Sequence, residues 1–212
     1  TLFPYTTLFR SVNRCSHGPL RDFRLTEEDR HELKIAGLLH DCGKITTPVH
    51  VVDKATKLEK IFDRIELIQT RAEIVLRDFQ IAVSKNLITE EMAMKRHQQL
   101  IEDFNFLSHC NIGVESMHDS DIARVHTIAK DYQWEDISGR VHSFLSDDEI
   151  QNLTIRSGTL TAQERHIINH HIDTTIAMLE KLPWPKHLKN VPEYAGGHHE
   201  RMDGKGYPKG LT

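Results

Sequence analysis

The sequence predicts an all-α protein, a helical bundle. Three observations predict it. Apolar residues recur three and four apart along most of the 212 residues. No run shows sustained period-two alternation of strand type. Glycine and proline gather at a few breaks: Gly18-Pro19, Pro48, Gly113, Gly139, Gly158, Pro183 to Pro185 and the final Gly-rich segment.

The first helix spans about Glu27 to His40. Thr26 is a suitable N-cap, with Asp29 three residues on and acidic residues in the first turn. Leu33, Ala36, Gly37 and His40 share one face, so His40 ends the helix on its buried side and Asp41 follows it into the core. Gly43 permits the chain to turn. A long helix over about Ala55 to Phe79 carries a narrow seam: Leu58, Ile61, Ile65, Ile68, Ala72, Val75 and Phe79. A second, about Thr89 to Leu107, has Leu100, Phe104 and Leu107 on one side, and the two could form an antiparallel hairpin. The plainer reading of this pair is extra packing helices; the sharper is a homodimer or partner surface.

Between Asn111 and Arg156 the expectation is a helix near Ser120 to Lys130 and irregular structure around Trp134 to Gly139. His109, His118, His126 and His142 have no paired spacing and read as surface or core residues. Thr161-Ala-Gln-Glu164 is a capping box that opens a helix to about Leu182, with Ile168, His171, Thr175, Met178 and Leu182 on one face. His170 is rotated about 100° from His171, so the pattern favours His171 as the inward residue. A last helix begins near Pro192, suited to a first helical position, and carries His198 and His199 at its end.

Composition narrows the function. At 38% hydrophobic and 27% charged the chain is globular. A net charge of −4 gives no general reason to expect a nucleic-acid polymer or an acidic membrane as partner, so any phosphate affinity must be local. Cys15, Cys42 and Cys110 are isolated and form no disulfide framework, which fits a reducing cytoplasm; Cys42 is expected to pack behind the metal motif. No apolar run approaches the ~20 residues of a membrane span, and no signal peptide is recognisable. Thr1 to Ser11 (TLFPYTTLFRS) resembles the translation of a sequencing-library adapter, so native sequence is expected from near Val12; an ordinary flexible tail is the alternative.

Two motifs carry the chemistry. One is His40-Asp41-Cys42-Gly43-Lys44; the other runs His198-His199-Glu200-Arg201-Met202-Asp203-Gly204-Lys205-Gly206-Tyr207-Pro208. Imidazole nitrogen and carboxylate oxygen suit divalent iron, manganese and zinc. The candidate ligands His40, Asp41, His171, His198 and His199 come from three converging helices, the usual way to build a metal site in an all-α protein. Asp41 could bridge two metals, and Lys44 could contact phosphate oxygens or help protonate the leaving group. The Asp203 to Pro208 loop reads as a plain connection or as a rim that positions the second motif and meets substrate.

Together the two motifs resemble those of the HD-GYP family, metal-dependent phosphodiesterases of the HD superfamily, over about Gly18 to Thr212. The resemblance implies an HD-superfamily helical bundle. It implies metal ligation by His40, Asp41, His171, His198 and His199, phosphate contact by Lys44, and two or three divalent ions, mostly iron or manganese. Asp41 and Lys44 would be catalytic, and Thr175, Arg201, Asp203, Gly204, Gly206, Tyr207 and Pro208 would face the substrate. The reaction implied is hydrolysis of cyclic di-GMP to pGpG or onward to GMP in bacterial signalling, with a diguanylate cyclase domain as a partner of the GYP loop. The location implied is cytoplasmic, in a parent attached to a sensor or membrane module.

The chain departs from the family in three ways. His40 and His198 lie much farther apart than in compact members, so about 54–156 reads as a helical insertion into a domain spanning 12–212. The family's upstream acidic and His ligands have no match, since His17 precedes Gly18-Pro19. Its final Asp ligand would fall past Thr212. The chain is therefore expected to be a fragment with weakened metal binding and activity. Two alternatives stay open: an HD-type phosphohydrolase acting on another nucleotide, and a non-catalytic signalling or docking module.

Overall fold

The computed structural model describes residues 13–18 and 21–211; the adapter-like stretch Thr1 to Ser11, Val12 and Thr212 lie outside them. The described residues are 56% helix with two short strands, so the all-α expectation holds. It divides into two compact units, one of Thr1–Pro48 with His166–Thr212 and the other Val49–Arg165.

The first unit is built on α1, Glu27–Leu39. Thr26 caps it through the expected box: its hydroxyl accepts from Asp29 N at 3.1 Å, and Asp29 accepts from Thr26 N at 2.8 Å. Glu27, Glu28 and Asp29 face the positive end of the helix dipole. A 3₁₀ turn, Cys42–Thr46, follows directly. Later in the chain come α7 (Ala162–Asn169, which begins in the second unit), α8 (His171–Leu179) and α9 (Val191–Gly196). Ala36, Leu179, Val191 and Ala195 form the core here, with Cys42 and Trp184 packed against it. Glu32, buried on α1, accepts from Asn190 N at 2.6 Å and Nδ2 at 3.1 Å, fixing α1 to the start of α9.

The single helix expected from Thr161 to Leu182 is two helices meeting at His170. At the junction the His171 ring bonds the Ile168 carbonyl one turn back. A one-residue interruption leaves the apolar period almost unchanged, so the pattern does not register it. The buried face of α8 is His171, Ile172, Thr175 and Leu179, whereas Met178 and Leu182 are exposed, so the expected stripe is rotated.

The second unit contains α2 (Val49–Val52), α3 (Ile65–Ser84), α4 (Glu90–Asn111), α5 (Asp119–Asp131) and α6 (Asp147–Leu153). A short hairpin of β1 (Gln133–Glu135) and β2 (Val141–Ser143) replaces the irregular stretch expected there. Three-residue strands are too short to leave a period-two signal. Asp136 closes their turn by accepting from Ser138 and Arg140 backbone N–H groups, and Gly139 supplies the positive φ.

The helix expected from Ala55 begins only at Ile65. Residues 56–63 pair elsewhere: Lys57 N donates to Asn111 O at 2.8 Å and Leu58 N to Asn111 Oδ1 at 2.8 Å. The Asp63 carboxylate accepts from Thr56 Oγ1, Asn111 Nδ2 and Ile65 N. Ile61, expected in the seam, is almost fully exposed in this loop, at 98%. From Ile65 onward the seam is real, but Ile68, Ala72 and Val75 are spent on the unit's own core beside Leu100 and Leu107. That stretch of the seam, Ile68 to Val75, is therefore not a free dimer surface. His109, His118 and His126 are exposed, and His142 bonds Asp136 at 2.8 Å.

Candidate metal centre

Three histidines of the first unit share one local construction. His40 Nδ1 lies 2.8 Å from Gly37 O, His171 Nδ1 2.5 Å from Ile168 O, and His198 Nδ1 2.7 Å from Ala195 O. In each the ring folds back on the carbonyl three residues earlier. A neutral imidazole that donates through Nδ1 presents an Nε2 lone pair, the state a metal ligand needs.

Those Nε2 atoms converge on Asp41. Its Oδ2 is 3.2 Å from His40 Nε2 and 2.9 Å from Lys44 Nζ. Its Oδ1 is 3.3 Å from His171 Nε2 and 3.7 Å from His198 Nε2. Asp41 Oδ1, His171 Nε2 and His198 Nε2 are buried with no hydrogen-bond partner. Buried lone pairs facing one another are costly unless a cation lies among them. The donor set fits a divalent metal on that ground. The potential ligand atoms fall into two groups, His40–Asp41–His198 and His171–His198–His199, each within 4.8 Å of one another. His198 belongs to both, and Asp41 turns one oxygen to each side, which suits neighbouring cations.

Charge states agree with ligand chemistry. Burial acts to raise the Asp41 carboxyl, but the Lys44 ammonium bonded to it, with His40 and His198, outweighs burial and holds it below the usual carboxylate value. Burial pushes His198 down, and burial reinforced by His198 and His171 pushes His199 down to about 4. Both histidines are thereby held neutral.

The turn that carries Asp41 is seated against α8. Gly43 N donates to Thr175 Oγ1 at 3.0 Å, and that hydroxyl donates to His40 O at 3.3 Å. A Cβ at Gly43 would stand 2.6 Å from Thr175 Oγ1 and crowd the His171 carbonyl. Gly43 thus permits close approach of two backbones, where a turn was expected to need it. Thr175, expected at the substrate, is fully buried and committed to this seat, so it positions the His-Asp turn. His170, by contrast, is exposed and bonded to Asp173.

The second motif folds back on its own histidines. His198 and His199 sit in the turn just beyond α9. The Tyr207 ring stacks on His199, centroids 4.6 Å apart and 14° from parallel, and its hydroxyl donates to Asn169 Oδ1 at 3.1 Å. A Cβ at Gly206 would collide with the Glu200 backbone, and Gly204 has φ +68°. Arg201 and Asp203 pair with each other at 2.7 Å on the exposed rim, and Pro208 is exposed as well. Glu200 accepts from Lys209 N and Leu211 N, holding the end of the loop. Sequence reasoning missed Asn169 and Glu200 in these roles: adjacency to His199 could have pointed to Glu200, but nothing local distinguishes Asn169.

Of the predicted ligands, His40, Asp41, His171, His198 and His199 therefore lie together, with Lys44 bonded to Asp41. Cys42 belongs to neither ligand group among the described residues, and packs against the core. His17 is exposed and bonded to Ser16. No helix among the described residues is long and apolar enough to cross a membrane.

An HD domain model matches residues 10–105, a span holding His40, Asp41 and Lys44. A second HD domain model matches residues 146–212, a span holding His171, His198 and His199. No curated protein and no solved structure is detectably similar to the chain. HD domains indicate metal-dependent phosphohydrolase activity, and an HD hydrolase implies a nucleotide substrate. The two matches, one at each end of the ligand cluster, support placing the chain in the HD superfamily.

Proposed function

We propose that this chain is an HD-GYP phosphodiesterase domain that hydrolyses cyclic di-GMP to pGpG or GMP, with residues 54–156 inserted between its two metal motifs. The observation that carries the reading is the stack of Tyr207 on His199, which makes the Asp203–Pro208 loop part of the ligand cluster. A generic phosphohydrolase has no need of that loop. The compact unit Val49–Arg165 supports the inserted boundaries.

In this reading His40, Asp41, His171, His198 and His199 hold two or three divalent ions, iron or manganese. Bound there, such ions would supply Lewis-acid polarisation of the phosphodiester and lower the pKa of a water. The chain's own groups do the rest. Lys44, bonded to Asp41 and over a third exposed, holds a positive charge toward a phosphate oxygen and can place a proton near the leaving alcohol. The Arg201–Asp203 pair and Pro208 form the exposed rim that a cyclic dinucleotide, or a diguanylate cyclase domain, would meet.

The test is metal content by elemental analysis together with chromatography of cyclic di-GMP digests, run beside other cyclic and linear nucleotides. Two or more metals per chain and cleavage of cyclic di-GMP support the reading. Metal with cleavage only of another nucleotide would leave a different HD phosphohydrolase, and neither metal nor cleavage would leave a docking module.

A further inference from the structure

The α3–α4 hairpin has a distal half that its own unit does not cover. The last fully buried residue on α3 is Val75 and the first on α4 is Leu100; between them every residue is partly or fully exposed. Yet that half is apolar. Leu76, Phe79 and Val83 on α3 and Ala93 and Met94 on α4 line one groove between the helices. Met94 is 67% exposed beside it, and Leu87 is 71% exposed in the connecting loop. Two helices alone cannot enclose such a stripe; four can.

The groove has a polarity along its length. Antiparallel chain direction puts Val83 and Glu90 at the tip and Leu76 and His97 at the base, about 10 Å apart at the helical rise. Among the described residues lining it Glu90 is the only carboxylate, and at the other end His97 stands beside the Arg96 guanidinium, which lies over the Phe79 ring and makes that end positive. A twofold axis across the groove would lay this pattern on itself reversed, so that each acidic tip meets the basic base of the other arm.

We infer that the distal half of the α3–α4 hairpin binds a second copy of this chain, arms antiparallel, closing a four-helix bundle in which Met94 enters the facing groove and Glu90 meets His97 of the other copy. Unbranched methionine suits such a contact because it adapts to an irregular gap. A strongly charged partner would find no matching field, since the groove's two ends carry opposite signs. The inference is independent of the chemistry at the metal centre.

Sedimentation equilibrium on the whole chain over a concentration series tests it, with far-UV circular dichroism to verify folding. The wild type should follow a monomer–dimer equilibrium. Met94→Glu, at an exposed position, should keep its helicity and raise the dimer dissociation constant more than about tenfold, because it sets a charge in an apolar contact. Glu90→His and His97→Glu should each weaken the dimer about three- to tenfold, and the double exchange should restore it, as exposed pairs of this kind allow. A wild type that is monomeric throughout would overturn the inference. So would a dimer indifferent to Met94→Glu, which would lie elsewhere, or an exchange without rescue, which would mean that the arms are not antiparallel.

Discussion

Replacing Gly43 by alanine probes the seat that aims Asp41. The added Cβ would lie 2.6 Å from Thr175 Oγ1 and 2.7 Å from Thr175 N, and would crowd the His171 carbonyl as well. Real Cβ contacts essentially never fall under 3.0 Å, and two of these three atoms are α8 backbone, which no rotamer change can move. The 3₁₀ turn must therefore back away from α8, stretching the 3.0 Å bond from Gly43 N to Thr175 Oγ1. Overpacking costs about 1–3 kcal/mol and a weakened buried hydrogen bond about 1 more, so a loss near 3 kcal/mol is expected. For a chain of this size that lowers Tm by roughly 6–12 °C. The displaced turn carries Asp41 and Lys44, so manganese uptake by titration calorimetry should weaken in parallel. Urea denaturation of the metal-free protein followed by circular dichroism reads the stability directly. A Gly43→Ala protein within about 0.5 kcal/mol of wild type, with unchanged uptake, would refute the packing argument.

Further expectations follow from the same geometry. His199→Ala should lower bound metal and abolish phosphodiester hydrolysis while the protein stays folded; unchanged metal stoichiometry would remove His199 from the ligand set. Lys44→Ala should spare metal and slow hydrolysis, and an equal loss of metal would make Lys44 a structural residue. Tyr207→Ala should reduce metal affinity about 10- to 100-fold, as loss of a ligand's supporting neighbour does, whereas Tyr207→Phe keeps the stack on His199 and should lose far less. Equal effects of the two would mean that the Asn169 hydrogen bond, and not the stack, orients His199. In metal-free protein, burial takes His199 from an ordinary 6.5 down to about 4, so the unfolded chain binds the proton first as pH falls. Stability should be full above the upper value and decline toward the lower one, with His198 acting in the same direction. His199→Gln should flatten that decline in a denaturation series across the window, and an unaltered profile would assign the pH dependence elsewhere.

The all-α class, the capping boxes at Thr26 and Thr161 and the inward choice of His171 over His170 were legible in the chain because each is local. Capping depends on residues three apart, and facing on helical period. The two motifs were legible because side-chain chemistry at short spacing survives without knowledge of the fold. The start of α3 was not legible: Asn111 and Asp63 hold residues 56–63 in a loop through bonds reaching across the unit, and an apolar period cannot reveal a competitor so distant. The seat of Gly43 against Thr175 was hidden for the same reason, since the backbone that crowds Gly43 lies on a helix far along the chain. The sequence by itself determined which residues could bind metal. Tertiary structure decided that the Nε2 atoms of His40, His171 and His198 all face Asp41. Only packing can bring lone pairs from three separate segments to one buried carboxylate.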